Sequence, residues 1–340
     1  MDMLWKTMAA MVLNLFDGNT NTTDQTGVGQ DLSPEMKTYY SDYLIDNTVP
    51  ELYHAQFGQK VNIPKNAGKT IEFRKFDLLP VSLTPLTEGV TPGGSKYNVS
   101  AVTAELHQYG NYVETSDLLN LTAIDNNLVQ LTAILGIQAG RTVDQVVREV
   151  ISGGTNVQYA EGQVESRGNL SGGNAEASQN HYLTVNAIRR AVRFLKVMHA
   201  PTKDGCYIGI IHPDVSFDLM NDPKWVNVKT YSDPEGIYNG EIGKIENVRF
   251  VETPDAKVFK GEGSGGRDVY ATLIFGDNAY GVTELEGGGM EHIVKPLGSA
   301  GTADPLNQRA TVGWKVTMCA ERLVEANLVR IETVSTFTED

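Results

Sequence analysis

The sequence predicts an α+β fold whose extensions outrun its core, and three observations carry that prediction. Helical periodicity is confined to two long stretches, near 118–150 and 184–199. Strand-like runs fill much of the remainder without a regular βαβ alternation. The first third of the chain holds aromatic clusters and a long hairpin pattern with no obvious second layer to cover them.

Composition limits the function classes. The 340 residues include 41% hydrophobic and 21% charged side chains, the profile of a folded globular chain. No run of eighteen apolar residues exists, so nothing is expected to span a bilayer. Lys and Arg number 28 against 42 Asp and Glu, a net charge of −14. Tight nucleic-acid binding by counterion release needs the opposite sign on at least one face, so specific DNA or RNA binding is disfavoured. Cys206 and Cys319 lie far apart in apolar stretches and read as buried, reduced thiols.

Residues 1–60 read as an arm. Met3–Phe16 is apolar, but Asp2 in its leading region and the absence of a small-residue cleavage site argue for docking rather than secretion. A short helical patch is expected after Ser33-Pro34. Tyr39, Tyr40, Tyr43, Leu44, Leu52, Tyr53 and Phe57 form clusters too thin for a core of their own. They are expected to anchor on the same chain or on a neighbour.

Lys69–Leu79 and Lys96–Glu114 are rich in β-formers. The run between them holds Pro80, Pro85, Gly89, Pro92, Gly93 and Gly94, which neither helix nor central strand tolerates. A long two-stranded hairpin with a broad tip is predicted. Leu121, Ile124, Leu128, Leu131 and Leu135 then follow 3,4 spacing, continued by Ala139, Val143, Val146 and Val150. Thr115, Ser116 and Asp117 offer caps, and Ser152-Gly153-Gly154 closes the pattern. One helix over 118–150 would be about 50 Å long; a coiled coil is the rival reading.

Gly153–Asn180 reads as a polar surface excursion. A second amphipathic helix over Thr184–His199 places Val185, Ile188, Val192 and Leu195 on one face and Arg189, Arg190, Arg193 and Lys196 on the other. Tyr207–His212 is a buried-strand candidate, Val215–Met220 a short helix, and Gly243–Thr253 a strand or strand pair. Val269–Phe275 and Ala279–Leu285, split by Gly276-Asp277-Asn278, read as a hairpin. Thr311–Ala320 and Asn327–Thr333 read as closing strands.

Chemistry-bearing motifs fail on context. Gly261–Gly266 spells G-x-G-x-x-G, but a strand-like run follows where a dinucleotide site needs a helix. Ala67–Thr70 resembles a P-loop tail, yet Ile63 stands where its first glycine belongs. The six histidines show no zincin spacing and no cysteine at ligand spacing. Glu321 and Glu325 have helical spacing but no sequence-visible pocket. No cofactor, metal or catalytic role is expected.

The order of arm, hairpin, long helix, polar excursion, second helix and mixed strands resembles the major capsid fold of tailed bacteriophages. That fold is shared with the herpesvirus capsid floor and encapsulins. Several stretches look like one phage major capsid family: YLIDNTVPELYHAQFGQKVNIPKNAGKTIEFRKFDLLP (Tyr43–Pro80), LTEGVTPGGSK (Leu86–Lys96), GEIGKIENVRFVETPD (Gly240–Asp255) and QRATVGWKVTMCAERLVEANLVRIE (Gln308–Glu332). The signal lies in their order and joint presence.

The resemblance implies an N-terminal arm over 1–60, an extended loop over 61–115 and a peripheral domain with a spine helix over 116–200. An axial domain follows over 201–295, with strands over 296–340 returning to the peripheral and axial sheet. It implies hexamers and pentamers of this chain in an icosahedral shell around double-stranded DNA. Scaffolding, portal and decoration proteins would be partners, in the host cytoplasm during assembly and the virion capsid afterwards. An encapsulin-type compartment around cargo enzymes is the alternative within the fold. Tyr39, Tyr43, Tyr53, Phe57, Phe73, Arg74, Lys75 and Phe76 are the expected inter-subunit contacts.

Overall fold

The computed structural model of the chain describes residues 20–21, 52–63, 68–76, 79, 81–91, 93–122, 127–160, 164–173, 180–225, 241–285, 290–299, 301 and 304–337. In chain order the strands and helices begin with β1 (Thr20–Asn21), β2 (Gln59–Ile63), β3 (Thr70–Phe76), β4 (Val99–Glu105), β5 (His107–Ser116), α1 (Asp117–Thr122) and α2 (Asn127–Ser152). They continue with β6 (Val157–Tyr159), α3 (Val185–Val197), β7 (Tyr207–Ile211), α4 (Pro213–Met220), β8 (Glu241–Ile245), β9 (Val248–Glu252) and β10 (Val258–Phe259). The last are β11 (Val269–Phe275), β12 (Tyr280–Leu285), β13 (Glu291–Lys295), β14 (Arg309–Arg322) and β15 (Leu328–Thr333). The expected helical patch after Pro34 lies outside the described residues.

The chain divides into two compact units, and both α2 and β14 run from one into the other. One unit takes its described residues from 1–50, 108–141 and 288–317. In it β5 lies between β1 and the first part of β14, with β13 on the other side of β14. Gln138 of α2 is tied to this sheet, its Oε1 accepting from Asn111 Nδ2 at 3.0 Å and Trp314 Nε1 at 3.3 Å.

The other unit takes 51–107, 142–287 and 318–340. Its main sheet runs β6-β15-β11-β7-β9-β8, with β10 added on β11. The β6–β15 and β7–β9 pairs are parallel and the rest antiparallel. Strands β7, β11 and β15 are buried at every position, as expected of central strands covered on both faces. Helix α3 explains one cover: Val185, Ala187, Ile188, Ala191, Val192 and Leu195 are its buried stripe, and they join Val215, Leu219, Phe250, Ile274 and Ile331 in one apolar cluster. Its cap is Thr184, whose side chain accepts from the Ala187 amide.

Several expectations are corrected. The second hairpin arm ends at Glu105, because Leu106 is buried and the strand that follows, β5, joins the β14 sheet. Strands β11 and β12 do not pair; β11 bonds β7, β10 and β15, whereas β12 bonds β14 and β2. The intervening turn spends its donors elsewhere, Gly276 N on Asn327 O and Asp277 N on Pro201 O. The helix expected over 118–150 is described as α1 and α2, residues 123–126 lying outside the described residues, and Leu121 of its expected apolar stripe is 81% exposed. The buried ladder of α2 is Leu135, Ala139, Val143, Val147 and Ile151, so Val147 and Ile151 take the places assigned to Val146 and Val150. The polar excursion is more than surface: Ala160 and Leu170 are buried with Val269 and Val334, and β6 pairs with β15.

Candidate assembly surfaces

Strands β3 and β4 form a two-stranded sheet in register from Thr70↔Glu105 to Phe76↔Val99. Alternation in TIEFRKF sends Ile71 and Phe73 to one face, where they pack with Ala104, Leu106, Ile63 and Cys319. Glu72 and Arg74 take the other face, exposed, 3.6 Å apart. At the base, Leu106 N donates to Lys69 O at 2.9 Å and Lys69 pairs with Glu105, which holds that carboxyl below its ordinary value.

Beyond Phe76 no second layer covers the hairpin among the described residues. Leu79, Val81, Leu83, Leu86, Val90, Tyr97 and Val99 are all exposed, Leu83 at 86%. A turn at Glu88-Gly89, with Gly89 at φ +78°, is closed by Val90 N donating to Thr87 O. Burying a Val or Leu side chain stabilises by about 1.5–3 kcal/mol. A string of them left in water is the mark of a surface meant to be covered.

The anchor at the hairpin's origin is held inside its own unit. Phe57 is 5% exposed, its ring centroid 6.1 Å from that of Phe275, and its carbonyl accepts from Lys203 Nζ at 2.9 Å. Tyr53 is half-buried, its carbonyl accepting from Gln56 Nε2. Phe73 is half-buried on its own chain, and Arg74 is exposed. Lys75 and Phe76 are placed only as strand positions opposite Ser100 and Val99. Tyr39 and Tyr43 lie outside the described residues.

Sequence reasoning missed the latch beside this anchor. The buried carboxylate of Asp144 on α2 accepts from the amides of His54 at 2.7 Å and Ala55 at 3.1 Å, and it meets His54 Nδ1 at 2.5 Å. Tyr280 donates its hydroxyl to the His54 carbonyl, and burial, with Asp144 adding to it, pushes that phenol well above its ordinary value. An acid inside the helix pattern at the edge of its apolar stripe was the available signal.

A second exposed surface lies on the unit that contains β13. All five β13 residues are exposed, including Ile293 and Val294, as are Leu297 and Leu306. Tyr112, Ile293, Lys295, Arg309 and Trp314 line an open groove there.

The remaining motifs sit in structural settings. Gly261–Gly266 lies between β10 and β11, pinned by Gly263 N to Arg267 O and Ser264 N to Leu170 O. Glu321 is in β14 and Glu325 in a 3₁₀ turn, so their helical spacing is not a helix. Glu325 instead accepts from Thr155. Cys206 and Cys319 are free and buried, as the sequence predicts. Among the described residues no group of three or more His, Cys, Asp or Glu could hold a metal ion, and no helix is long and apolar enough to cross a membrane.

A family model described as phage capsid protein matches residues 58–295. No curated protein matches the sequence. Among solved structures, the capsid of Ralstonia phage GP4 is similar at a TM-score of 0.72 and 14% identity, over 94% of this chain and 100% of that one. The capsid of cyanophage P-SCSP1u is similar at 0.65 and 13%, over 95% and 100%. The capsid asymmetric unit of cyanophage Pam1 follows at 0.64 and 12%, over 92% and 99%.

Proposed function

The chain belongs to the phage capsid protein family, and we propose that its copies form the hexamers and pentamers of an icosahedral shell around double-stranded DNA. It is a structural subunit of the virion capsid, with the fold of tailed-phage major capsid proteins. Scaffolding, portal and decoration proteins are its proposed partners during assembly in the host cytoplasm. Catalysis and cofactors have no part in this role. Within the fold, the stretch 61–115, whose paired strands span 70–105, serves as the extended loop and α2 as part of the spine helix.

What carries this reading is the hairpin tip. Seven apolar side chains from Leu79 to Val99 stand exposed on a two-stranded element that cannot bury them alone. A neighbouring copy offers the cover. Each contact is modest, and repetition around a closed shell makes the whole stable through effective concentration. Tyr53, Phe57 and Phe73 then set the loop's base, while Arg74, Lys75 and Phe76 begin the stretch that reaches the neighbour.

The test is sedimentation and electron microscopy of the expressed chain beside two deletions. The full chain should give closed particles or capsomers. Deleting Leu78–Lys96 should leave a soluble protein that closes no shell, and deleting Met1–Gln30 should weaken assembly less. Normal shells from the hairpin deletion would overturn the proposal.

A further inference from the structure

Helix α3 buries its apolar stripe and turns Arg189, Arg190, Arg193 and Lys196 to solvent, all four exposed. At 100° and 1.5 Å per residue these positions share one side of the helix over about 10 Å of its axis. Lys224 extends the row, its ammonium donating to Asn186 Oδ1 on the same helix at 2.7 Å. Among the described residues two carboxylates sit beside these five cations. Glu246 takes Arg189 at 2.8 Å, and Asp222 accepts from the amides of Val185 and Lys224. Among the described residues Arg190, Arg193 and Lys196 have no ion pair. On a chain of net charge −14, this is a local reversal of sign.

We propose that this face of α3 touches the phosphate backbone of double-stranded nucleic acid and is therefore turned toward the inside of the shell. The inference rests on the capsid reading and adds where, and how strongly, the wall meets its contents. The row is open and shallow, bordered by Val192, Val197 and Glu246. Phosphate contact requires only a line of flexible cations, whereas a bound peptide takes its specificity from pockets for its side chains. The three unpaired cations of α3 itself, with Lys224 tied to Asn186 beside them, give weak, sequence-independent contact, and the acidic remainder of the chain repels the polymer. Nucleic acid is then positioned against the wall without being held there.

The test measures affinity of the full-length chain for a random-sequence DNA duplex across salt concentrations. Each neutralised phosphate contributes a slope of about −0.9 in log K against log salt. Three contacts predict about −3, or a loss of about 40-fold between about 50 and about 200 mM salt. The triple variant R190Q/R193Q/K196Q should take about three out of the slope with an unchanged thermal midpoint, and K196Q alone should reduce it by about one. An identical slope in the unaltered chain and the triple variant overturns the proposal. So does tighter binding to polyglutamate than to the duplex, which would give the face to an acidic protein segment. Shell formation, scored by electron microscopy on the same samples, reports separately on the capsid reading.

Discussion

The ring of Phe73 occupies the space that a side chain at Gly281 would need, with Phe73 Cζ 2.9 Å from where a Cβ would stand. Gly281 is on β12, paired with Gln59 of β2 and Glu321 of β14. The missing side chain therefore lets the hairpin base lie down on this sheet. Gly281→Val should cost about 1–3 kcal/mol by overpacking and lower shell yield more than the stability loss alone explains. Thermal melts and particle counts check it; Phe73→Ala in the same chain should restore much of the melt but not the yield.

Asp144 and His54 form the second joint. Truncating Asp144 strands two backbone donors and an imidazole in a site where Asp144 is 3% and His54 0% exposed. Leaving buried donors without acceptors costs about 1–3 kcal/mol per group. Asp144→Ala should lower stability by about 3 kcal/mol or more, and amide exchange at His54 and Ala55 should accelerate well beyond that of β7.

How much of this was legible in the sequence follows from what periodicity can encode. Gly243–Thr253 stayed open between one strand and two until the structure placed a turn at Glu246-Asn247, both at positive φ, whereas the buried face of α3 and the fully buried β7 were local signals. Partner choice was not. The parallel β2–β12 and β6–β15 pairs join segments far apart in the chain, and alternation names a face without naming a neighbour. In α2 both the Val146, Val150 and Val147, Ile151 ladders satisfy helical spacing, and tertiary packing decides between them. The Asp144 latch was hidden for the same reason. The exposed tip, by contrast, was readable because Pro and Gly exclude a regular element there.

Arg167 grips Glu332 with two parallel hydrogen bonds, Nε to Oε2 at 2.8 Å and Nη2 to Oε1 at 2.7 Å. Glu332 is fully buried on β15, Arg330 adds Nε to Oε1 at 2.8 Å, and the Arg167 guanidinium lies 3.4 Å from the Phe259 ring centroid. This ties the polar excursion to the main sheet. Removing one partner of a buried pair leaves an uncompensated charge, so Glu332→Ala should cost about 3–5 kcal/mol. Denaturant unfolding measures it, and proteolysis after Arg167 should rise in parallel.

Acidification should destabilise the chain in two stages. Burial, offset in part by Asp214 and Glu252, lowers the His212 pKa below its ordinary 6.5, and its Nδ1 accepts from the Asp214 amide to cap α4. Below pH 6.5 the unfolded chain therefore binds the proton first, and stability falls as pH falls. Glu149 and Glu325 follow. Burial raises each, but hydrogen bonds from Lys257 and Arg148 to Glu149, and from Thr155 to Glu325, leave both below 4.5. Their contribution is present above that value and lost as pH drops through the depressed folded values. Thermal midpoints against pH should show both steps, and His212→Asn, which keeps a capping oxygen, should flatten the first.

The most direct measurement is a cryo-electron microscopy reconstruction of particles assembled from the full chain. Leu83, Leu86 and Val90 should be covered by a different copy, with the β3–β4 base seated on its own Gly281 and Cys319. Particles in which that tip folds back onto its own chain, or stays uncovered in a closed shell, would contradict the account.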